Sequence, residues 1–179
     1  CYNAGRVAYG FSQGGGIVGL NQPTALIELC QNDGKVENEV INSVSAKATT
    51  NTAGGIVGSN YGKVDRCVNN AYVRAHHTVA GIAGETKYTY EEGDITASIN
   101  NGIVDCMDQQ NVNRGGIAGS LTGNCVFANN YYDSSVNVNG AANNAGKDGV
   151  TGLSSSELVA GTPLQGLSAD DFDFTANAY

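Results

Sequence analysis

Four copies of one pentapeptide decide the fold, and the clearest copy is Gly54-Gly55-Ile56-Val57-Gly58. The other copies read Gly15-Gly16-Ile17-Val18-Gly19, Ala80-Gly81-Ile82-Ala83-Gly84 and Gly115-Gly116-Ile117-Ala118-Gly119. Their central isoleucines are separated by 39, 26 and 35 residues. Similarity that returns at intervals of tens of residues predicts stacked repeats rather than one ordinary globular core.

A second motif lies between these copies and has the form Cys-x-Asn, with a valine six residues after the cysteine. It begins at Cys1, Cys30 and Cys67, and again at Cys106 with aspartate in place of asparagine. Two weaker versions, without cysteine, read Val40-Ile41-Asn42 and Ser98-Ile99-Asn100. Together the two motifs predict about six or seven units of about 20 residues or more, the length that solenoids use.

The residue types within each unit favour strands over helices. Apolar residues occur in short bursts rich in valine and isoleucine, bounded by glycine and asparagine, which is typical of strands joined by turns. The 25 glycines suit corners with positive φ and close backbone approach. The asparagine of Cys-x-Asn is expected to occupy the left-handed region and bond its own backbone. We therefore predict an all-β fold, a right-handed parallel β-helix of about six to seven coils.

The two motifs together resemble the GLUG motif of repetitive extracellular bacterial proteins, which include surface adhesins and IgA-specific metallopeptidases. The resemblance covers the chain from residue 1 to about 133, and GLUG repeats carry no catalytic residues to transfer. It implies a cell-surface or secreted protein, extracellular or attached to the cell wall. Since Cys1 falls inside a repeat, a larger parent polypeptide is expected upstream.

The C-terminal part differs from the repeats in composition. We assign residues 1–136 to the repeats and residues 137–179 to a capping segment of the same domain. Ser154-Ser155-Ser156-Glu157 has capping-box spacing and predicts a short helix to about Ala160, which Gly161 ends. Leu158, Leu164, Leu167, Phe172 and Phe174 are expected to supply the apolar cover of this loop and short-helix cap.

Charge and hydropathy limit the partners. The net charge is −8, and only 15% of residues are charged. This balance argues against nucleic acid, because phosphate binding needs basic patches. No apolar run approaches the ~18 residues of a membrane span, so no membrane insertion is expected. A host or environmental glycan or protein is the expected partner, and no cofactor is predicted.

The five cysteines admit three interpretations. A disulfide framework would leave one thiol unpaired, and a zinc site lacks any Cys-x-x-Cys pair. Parallel strands lie ~4.7–4.9 Å apart, whereas the Cβ atoms of a disulfide need ~3.8 Å. We therefore favour a column of reduced, buried thiols that includes all five cysteines.

Candidate catalytic groups are few. The pair His76-His77 lacks the His-Glu-x-x-His pattern of a metallopeptidase, so a surface position is favoured over a metal or base role. Glycosidases need two carboxylates ~5–9.5 Å apart. The candidates for such a pair are Glu37 and Glu39; Glu91, Glu92 and Asp94; and Asp170, Asp171 and Asp173. Acidic runs are mostly solvated surface, so we predict no enzyme.

The best binding candidate is the irregular insertion that contains Tyr88, Tyr90, Glu91 and Glu92. Exposed tyrosines are favoured contact residues, and loops on a rigid scaffold often carry function. The alternative, that these tyrosines pack on the neighbouring coil, stays open. The sequence thus predicts a non-catalytic adhesin or stalk. An accessory domain of an IgA-type metallopeptidase and a polysaccharide-active β-helix enzyme remain the alternatives.

Overall fold

The computed structural model describes residues 1–10, 12–39, 51–87, 93–108, 113–137, 140–141, 147–159 and 164–166. Within these ranges short strands follow one another, and a single five-residue helix lies near the C-terminal end. The first ten strands are β1 (Tyr2–Asn3), β2 (Val7–Tyr9), β3 (Gln13–Gly15), β4 (Val18–Asn21), β5 (Leu26–Glu28), β6 (Gln31–Asn32), β7 (Val36–Asn38), β8 (Thr52–Gly54), β9 (Val57–Asn60) and β10 (Lys63–Asp65).

The remaining elements continue the same alternation of short strands and turns. They are β11 (Val68–Asn69), β12 (Val73–Ala75), β13 (Thr78–Ala80), β14 (Ala83–Lys87), β15 (Ile95–Thr96), β16 (Ile99–Asn100), β17 (Val104–Cys106), β18 (Arg114–Gly115), β19 (Ala118–Thr122), β20 (Phe127–Ala128), β21 (Asn130–Asp133), β22 (Val150–Leu153) and α1 (Ser155–Val159).

Strands five apart in this order pair in parallel and in register, and the last strand, β22, pairs in parallel with the strand before it, β21. They form five sheets: sheet A, β1-β6-β11-β16-β21-β22; sheet B, β2-β7-β12-β17; sheet C, β3-β8-β13-β18; sheet D, β4-β9-β14-β19; and sheet E, β5-β10-β15-β20. The chain therefore visits the same five sheets in the same sequence, each time adding one strand to each. The predicted all-β class with stacked parallel strands is confirmed.

The described strands pass through all five sheets four times, fewer than the six or seven units predicted. Equivalent residues in sheet A are 29, 37, 31 and 32 residues apart, so one pass is longer than the expected 20 residues. The predicted number of units also includes the Cys106 motif as a unit of its own. Instead, Cys106 lies in β17 of sheet B, beside Ala75, within the pass that begins at Ser98. The weaker copy at Val40 lies outside the described residues.

The main apolar cluster of the interior contains side chains from sheets D and E and from the corner that connects sheet C to sheet D. The isoleucine of each pentapeptide stands in one column, and Ile56, Ile82 and Ile117 are fully buried. Facing side chains of sheet E, such as Val64 and Ile95, complete the cluster. A second cluster lies between sheets B and C and includes Val36, Val73 and Val79. The pentapeptide thus supplies the column of isoleucines in the main apolar cluster.

A ladder of asparagines runs through the interior along sheet A. We call Asn3, Asn32, Asn69 and Asn100 the asparagine ladder. The Nδ2 of each donates to the Oδ1 of the next, at 2.7, 2.9 and 2.7 Å. Asn32, Asn69 and Asn100 are fully buried. Because each amide also bonds nearby backbone, as Asn69 does with the carbonyl of Ala71 at 2.9 Å, the ladder satisfies these buried polar groups.

In the first three pentapeptides the glycine before the isoleucine packs directly on this ladder, whereas Gly116 of the fourth packs on the Tyr132 side chain. A Cβ on Gly55 would lie 2.2 Å from Cγ of Asn69 and 2.2 Å from the Gly81 carbonyl oxygen. A Cβ on Gly81 would lie 1.9 Å from Cγ of Asn100. These glycines have ordinary φ values, so close approach, not positive φ, excludes a side chain there.

The left-handed corner residue is not the asparagine, contrary to the sequence prediction. The ladder asparagines lie in strands, and positive φ falls instead just before the strand. It falls two residues before the strand at Leu29, Arg66 and Ala97 and one residue before it at Asn129, with φ of 51, 48, 47 and 56°. Each of these residues turns the chain from sheet E into sheet A. The asparagine cannot serve as the corner because it must remain extended to reach its neighbours in the ladder. The expected bond of the asparagine to nearby backbone is present.

The region after residue 136 continues sheet A and also covers its outer face. β22 pairs with β21, and Ala141 bridges to Ala118. Leu158 and Leu164 pack against Val68, Ile99 and Tyr131. The helix begins with the expected capping box, in which Glu157 N donates to Ser154 Oγ and Ser154 N donates to Glu157 Oε2. The predicted Leu167, Phe172 and Phe174 contacts lie outside the described residues.

Candidate functional site

The predicted binding residues Tyr88, Tyr90, Glu91 and Glu92 lie outside the described residues. The residues on either side of this insertion are held together. Thr86, at the end of β14, donates through Oγ1 to the carbonyl of Gly93. Asp94 accepts the backbone N–H of Val126 at 2.8 Å through Oδ1. The insertion therefore leaves and re-enters the stacked sheets at one place, between sheets D and E.

A polar cluster on sheet D adjoins this place. Glu85 accepts Ser59 Oγ at 2.7 Å and forms an ion pair with Lys87 at 3.0 Å. Lys87 Nζ lies 5.8 Å from the centroid of the Tyr61 ring. Hydrogen bonding to Glu85 raises the pKa of Lys87, which keeps this amine cationic. An aromatic face, a carboxylate and an amine thus stand beside the base of the insertion.

The carboxylates Glu37 and Glu39 occupy a cluster of charges on the outer face of sheet B. Arg6 donates through Nε to Glu37 Oε1 at 3.0 Å and through Nη2 to Glu39 Oε1 at 2.7 Å. Lys35 forms a further ion pair with Glu37. The hydrogen bond from Lys35, followed by that from Arg6, lowers the pKa of Glu37. Because a glycosidase acid needs a raised pKa, this environment suits an ionised ion-pair partner better than a proton donor.

The same face continues into the next two repeats. The strand register places Glu37 beside Arg74, and Arg74 beside Asp105, so opposite charges face one another across neighbouring strands. Arg74 Nε lies 3.3 Å from Asp105 Oδ2, which also accepts the Tyr72 hydroxyl. Burial, followed by this hydrogen bond, raises the pKa of Tyr72 to about 12. This cluster could not be predicted from the sequence. The loops between strands differ in length, so sequence spacing does not reveal that Glu37, Arg74 and Asp105 lie on neighbouring strands.

A smaller charge cluster lies on sheet E. The register puts Glu28 and Asp65 side by side, where two carboxylates would repel. Arg66 forms ion pairs with both, at 2.9 Å to Asp65, and Thr96 Oγ1 donates to Asp65 at 2.6 Å. Arg66 is therefore the left-handed corner residue and also forms ion pairs with carboxylates of two repeats.

The five cysteines, all within the described residues, carry free thiols but do not form one column. Cys1, Cys30 and Cys67 occupy equivalent positions in sheet A, and Ser98 takes the position in the next repeat. Cys106 lies in sheet B, and Cys125 lies beside Thr86 at 3.7 Å. Contact with Cys30, and then burial, raises the pKa of the Cys67 thiol. The expected single column is thus restricted to three cysteines, because Cys106 and Cys125 fall at other positions of the repeat.

The histidines lie at the turn between β12 and β13. His77 Nδ1 is 3.0 Å from the hydroxyl of Thr78, and the Cys106 thiol donates to the carbonyl groups of His76 and His77. Among the described residues, no group of three or more His, Cys, Asp or Glu side chains is arranged to hold a metal ion. In the same part of the chain, no helix has the length and apolar character needed to cross a bilayer.

Comparison with known proteins yields no match to any protein-family model, curated protein or solved structure.

Proposed function

We propose that the chain is a right-handed parallel β-helix of the GLUG-repeat type that acts as a non-catalytic binding scaffold. Each pass through the five sheets would be one coil, and residues 137–179 would cap the last one. The right-handed winding follows the strong preference of crossovers between parallel strands. The setting is an extracellular bacterial surface or secreted protein, attached to the cell wall or released.

The observation that carries this proposal is that the residues on either side of one insertion are hydrogen-bonded to each other. That insertion contains Tyr88, Tyr90, Glu91 and Glu92. The Thr86 to Gly93 hydrogen bond fixes the two ends on a stack of in-register strands. A short loop anchored on a rigid scaffold loses little entropy when a ligand binds. The base of the insertion also adjoins the Tyr61 ring and the Glu85–Lys87 pair, which could extend a contact surface for a glycan or protein.

The adhesin form and the stalk form use the same stack of strands in different ways. A stalk would use it as a spacer, whereas an adhesin would use it to display a loop. The hydrogen bond that joins the two ends of the insertion supports the adhesin form.

The decisive experiment is binding of the labelled chain to glycan and protein arrays, followed by the double variant Tyr88→Ala/Tyr90→Ala. Loss of two anchoring aromatic side chains should weaken binding by about 30-fold or more. The matched control is Tyr2→Ala, which removes another tyrosine, 65% exposed, from the first repeat. Equal affinities of the two variants would refute the proposed loop site.

The alternatives give different results in the same study. A polysaccharide-active enzyme would release reducing ends from a substrate panel, and Glu37→Gln would stop that release. An accessory domain of an IgA-type metallopeptidase would neither bind the arrays nor cleave, and would act only when joined to a peptidase. Either result would overturn the adhesin proposal.

A further inference from the structure

Two buried cysteines lie side by side in sheet A. Cys30 and Cys67 directly precede β6 and β11, which pair in register. The backbone N–H of Val68 donates to the carbonyl of Cys30 at 2.9 Å. Both side chains belong to the main apolar cluster, with exposures of 3% and 0%. Two thiols that lie 37 residues apart in sequence are thus held next to each other in the interior.

The spacing of these thiols does not suit a disulfide. Equivalent residues of neighbouring parallel strands are ~4.8 Å apart, whereas a disulfide needs Cβ atoms ~3.8 Å apart and an S–S bond of ~2.05 Å. A linear S–metal–S unit fits better. Two metal–sulfur bonds of ~2.3 Å in a line span about 4.6 Å, close to the strand spacing.

The surroundings select the kind of ion. Thiolates prefer soft metal ions, and ions that need four ligands would require further donors. Interior neighbours such as Ile27 and Val64 are apolar, and the third thiol of the column, Cys1, is exposed and lies beside Cys30 only. A divalent ion with two thiolates gives a neutral unit, which avoids leaving an uncompensated charge in the apolar core.

We propose that Cys30 and Cys67 form a two-coordinate thiolate site for a soft divalent d10 cation of the Hg(II) type. On binding of the metal dichloride, both S–H bonds and both metal–chloride bonds break and two sulfur–metal bonds form. Two protons and two chloride ions pass to solvent, without any change of oxidation state. The fold assembles this site from two repeats, so neither repeat contains it alone.

The test is a titration with mercuric chloride, followed by ultraviolet thiolate-to-metal absorption, in a Cys1→Ser background. That background removes the exposed third thiol, which lies beside Cys30. The first equivalent should consume two thiols, and X-ray absorption should show two sulfur ligands. Adding Cys30→Ser or Cys67→Ser should weaken apparent binding by about 10²–10⁴-fold, since the second attachment is lost.

Matched controls are Cys106→Ser and Cys125→Ser in the same background, which should retain the two-sulfur site. Serine is compatible with the column, because Ser98 occupies the next position and accepts the N–H of Cys67 at 3.2 Å. Circular dichroism will verify that each variant is folded. Three results would overturn the proposal: no binding to the native protein, one sulfur ligand per ion, or an intact two-sulfur site after Cys67→Ser.

Discussion

At the scale of single residues, the asparagine ladder is the feature in which each side chain depends most on its neighbours for hydrogen bonds. Each amide is both donor and acceptor, so it links one repeat to the next in the way that backbone ladders do. An interior member has partners on both sides, whereas the terminal member Asn3 has one partner in the ladder and is partly exposed. The energetic weight of a residue should therefore depend on its place in the ladder.

Asn69→Ala should lower the free energy of unfolding by about 2–4 kcal/mol, because it leaves the Asn32 amide donor buried without an acceptor and removes one of the two hydrogen bonds to the Asn100 oxygen, which keeps the N–H of Gly102. Asn3→Ala, the matched control, should cost about 1 kcal/mol or less, since solvent reaches that end. Urea unfolding measures both. Equal losses would show that the ladder contributes little beyond local packing.

Glu37 makes a pH-dependent contribution. Its folded pKa lies below the ordinary 4.5, so its stabilisation is present above that value and is lost as the pH falls through the folded pKa. Glu37→Gln should cost about 0.2–1 kcal/mol at pH 7, because Arg6 and Lys35 are largely exposed. The cost should vanish at pH 2 in urea unfolding. A pH-independent difference would mean that the effect is one of packing.

At the scale of elements, the corners decide how strands connect. The corner between sheets D and C is crowded, and the corner between sheets E and A uses left-handed residues. Substitutions at the two corners should therefore change stability in opposite directions. Adding a methyl group at the crowded corner should lower the free energy of unfolding, whereas removing a side chain at the left-handed corner should not lower it.

Gly55→Ala should destabilise the protein by about 3 kcal/mol or more, since the new methyl would collide with Asn69 and with the backbone of the next repeat. Gly10→Ala is the matched control, because a Cβ there has no atom within 4 Å. That variant should change stability by less than about 0.5 kcal/mol. Thermal unfolding compares the two, and similar melting temperatures would contradict the close approach.

Leu29→Gly should be neutral or stabilising by up to about 1 kcal/mol, because glycine adopts a φ of 51° without the penalty of a side chain. Leu26→Gly, at a similarly exposed leucine inside β5, should cost about 1 kcal/mol. The order of the two denaturation midpoints is the measurement. The reverse order would exclude the left-handed corner.

At the scale of the whole molecule, each repeat contacts chiefly its neighbours, so stability should vary along the stack. Strands β11–β15 have partners on both edges, whereas β1–β5 stand at the edge of every sheet. Two-sided pairing requires more neighbouring structure to open before an amide can exchange.

Hydrogen exchange followed by mass spectrometry should therefore show about tenfold or slower exchange in β11–β15 than in β1–β5 of the chain of residues 1–179. Peptides from β2 and β12, equivalent strands of sheet B, give the most direct comparison. Equal protection would indicate that the stack opens only as a single unit.

The sequence alone determined that the chain is all-β, repetitive and stacked in parallel, since the glycine-rich pentapeptide and the Cys-x-Asn motif recur with strand-type residues between them. It did not determine which copies lie side by side. Cys106 resembles Cys67 locally, yet loops of unequal length place it in another sheet. Only the tertiary structure decided the register, and register is what joins the asparagines, opposes Arg74 to Asp105 and limits the predicted cysteine column to Cys1, Cys30 and Cys67.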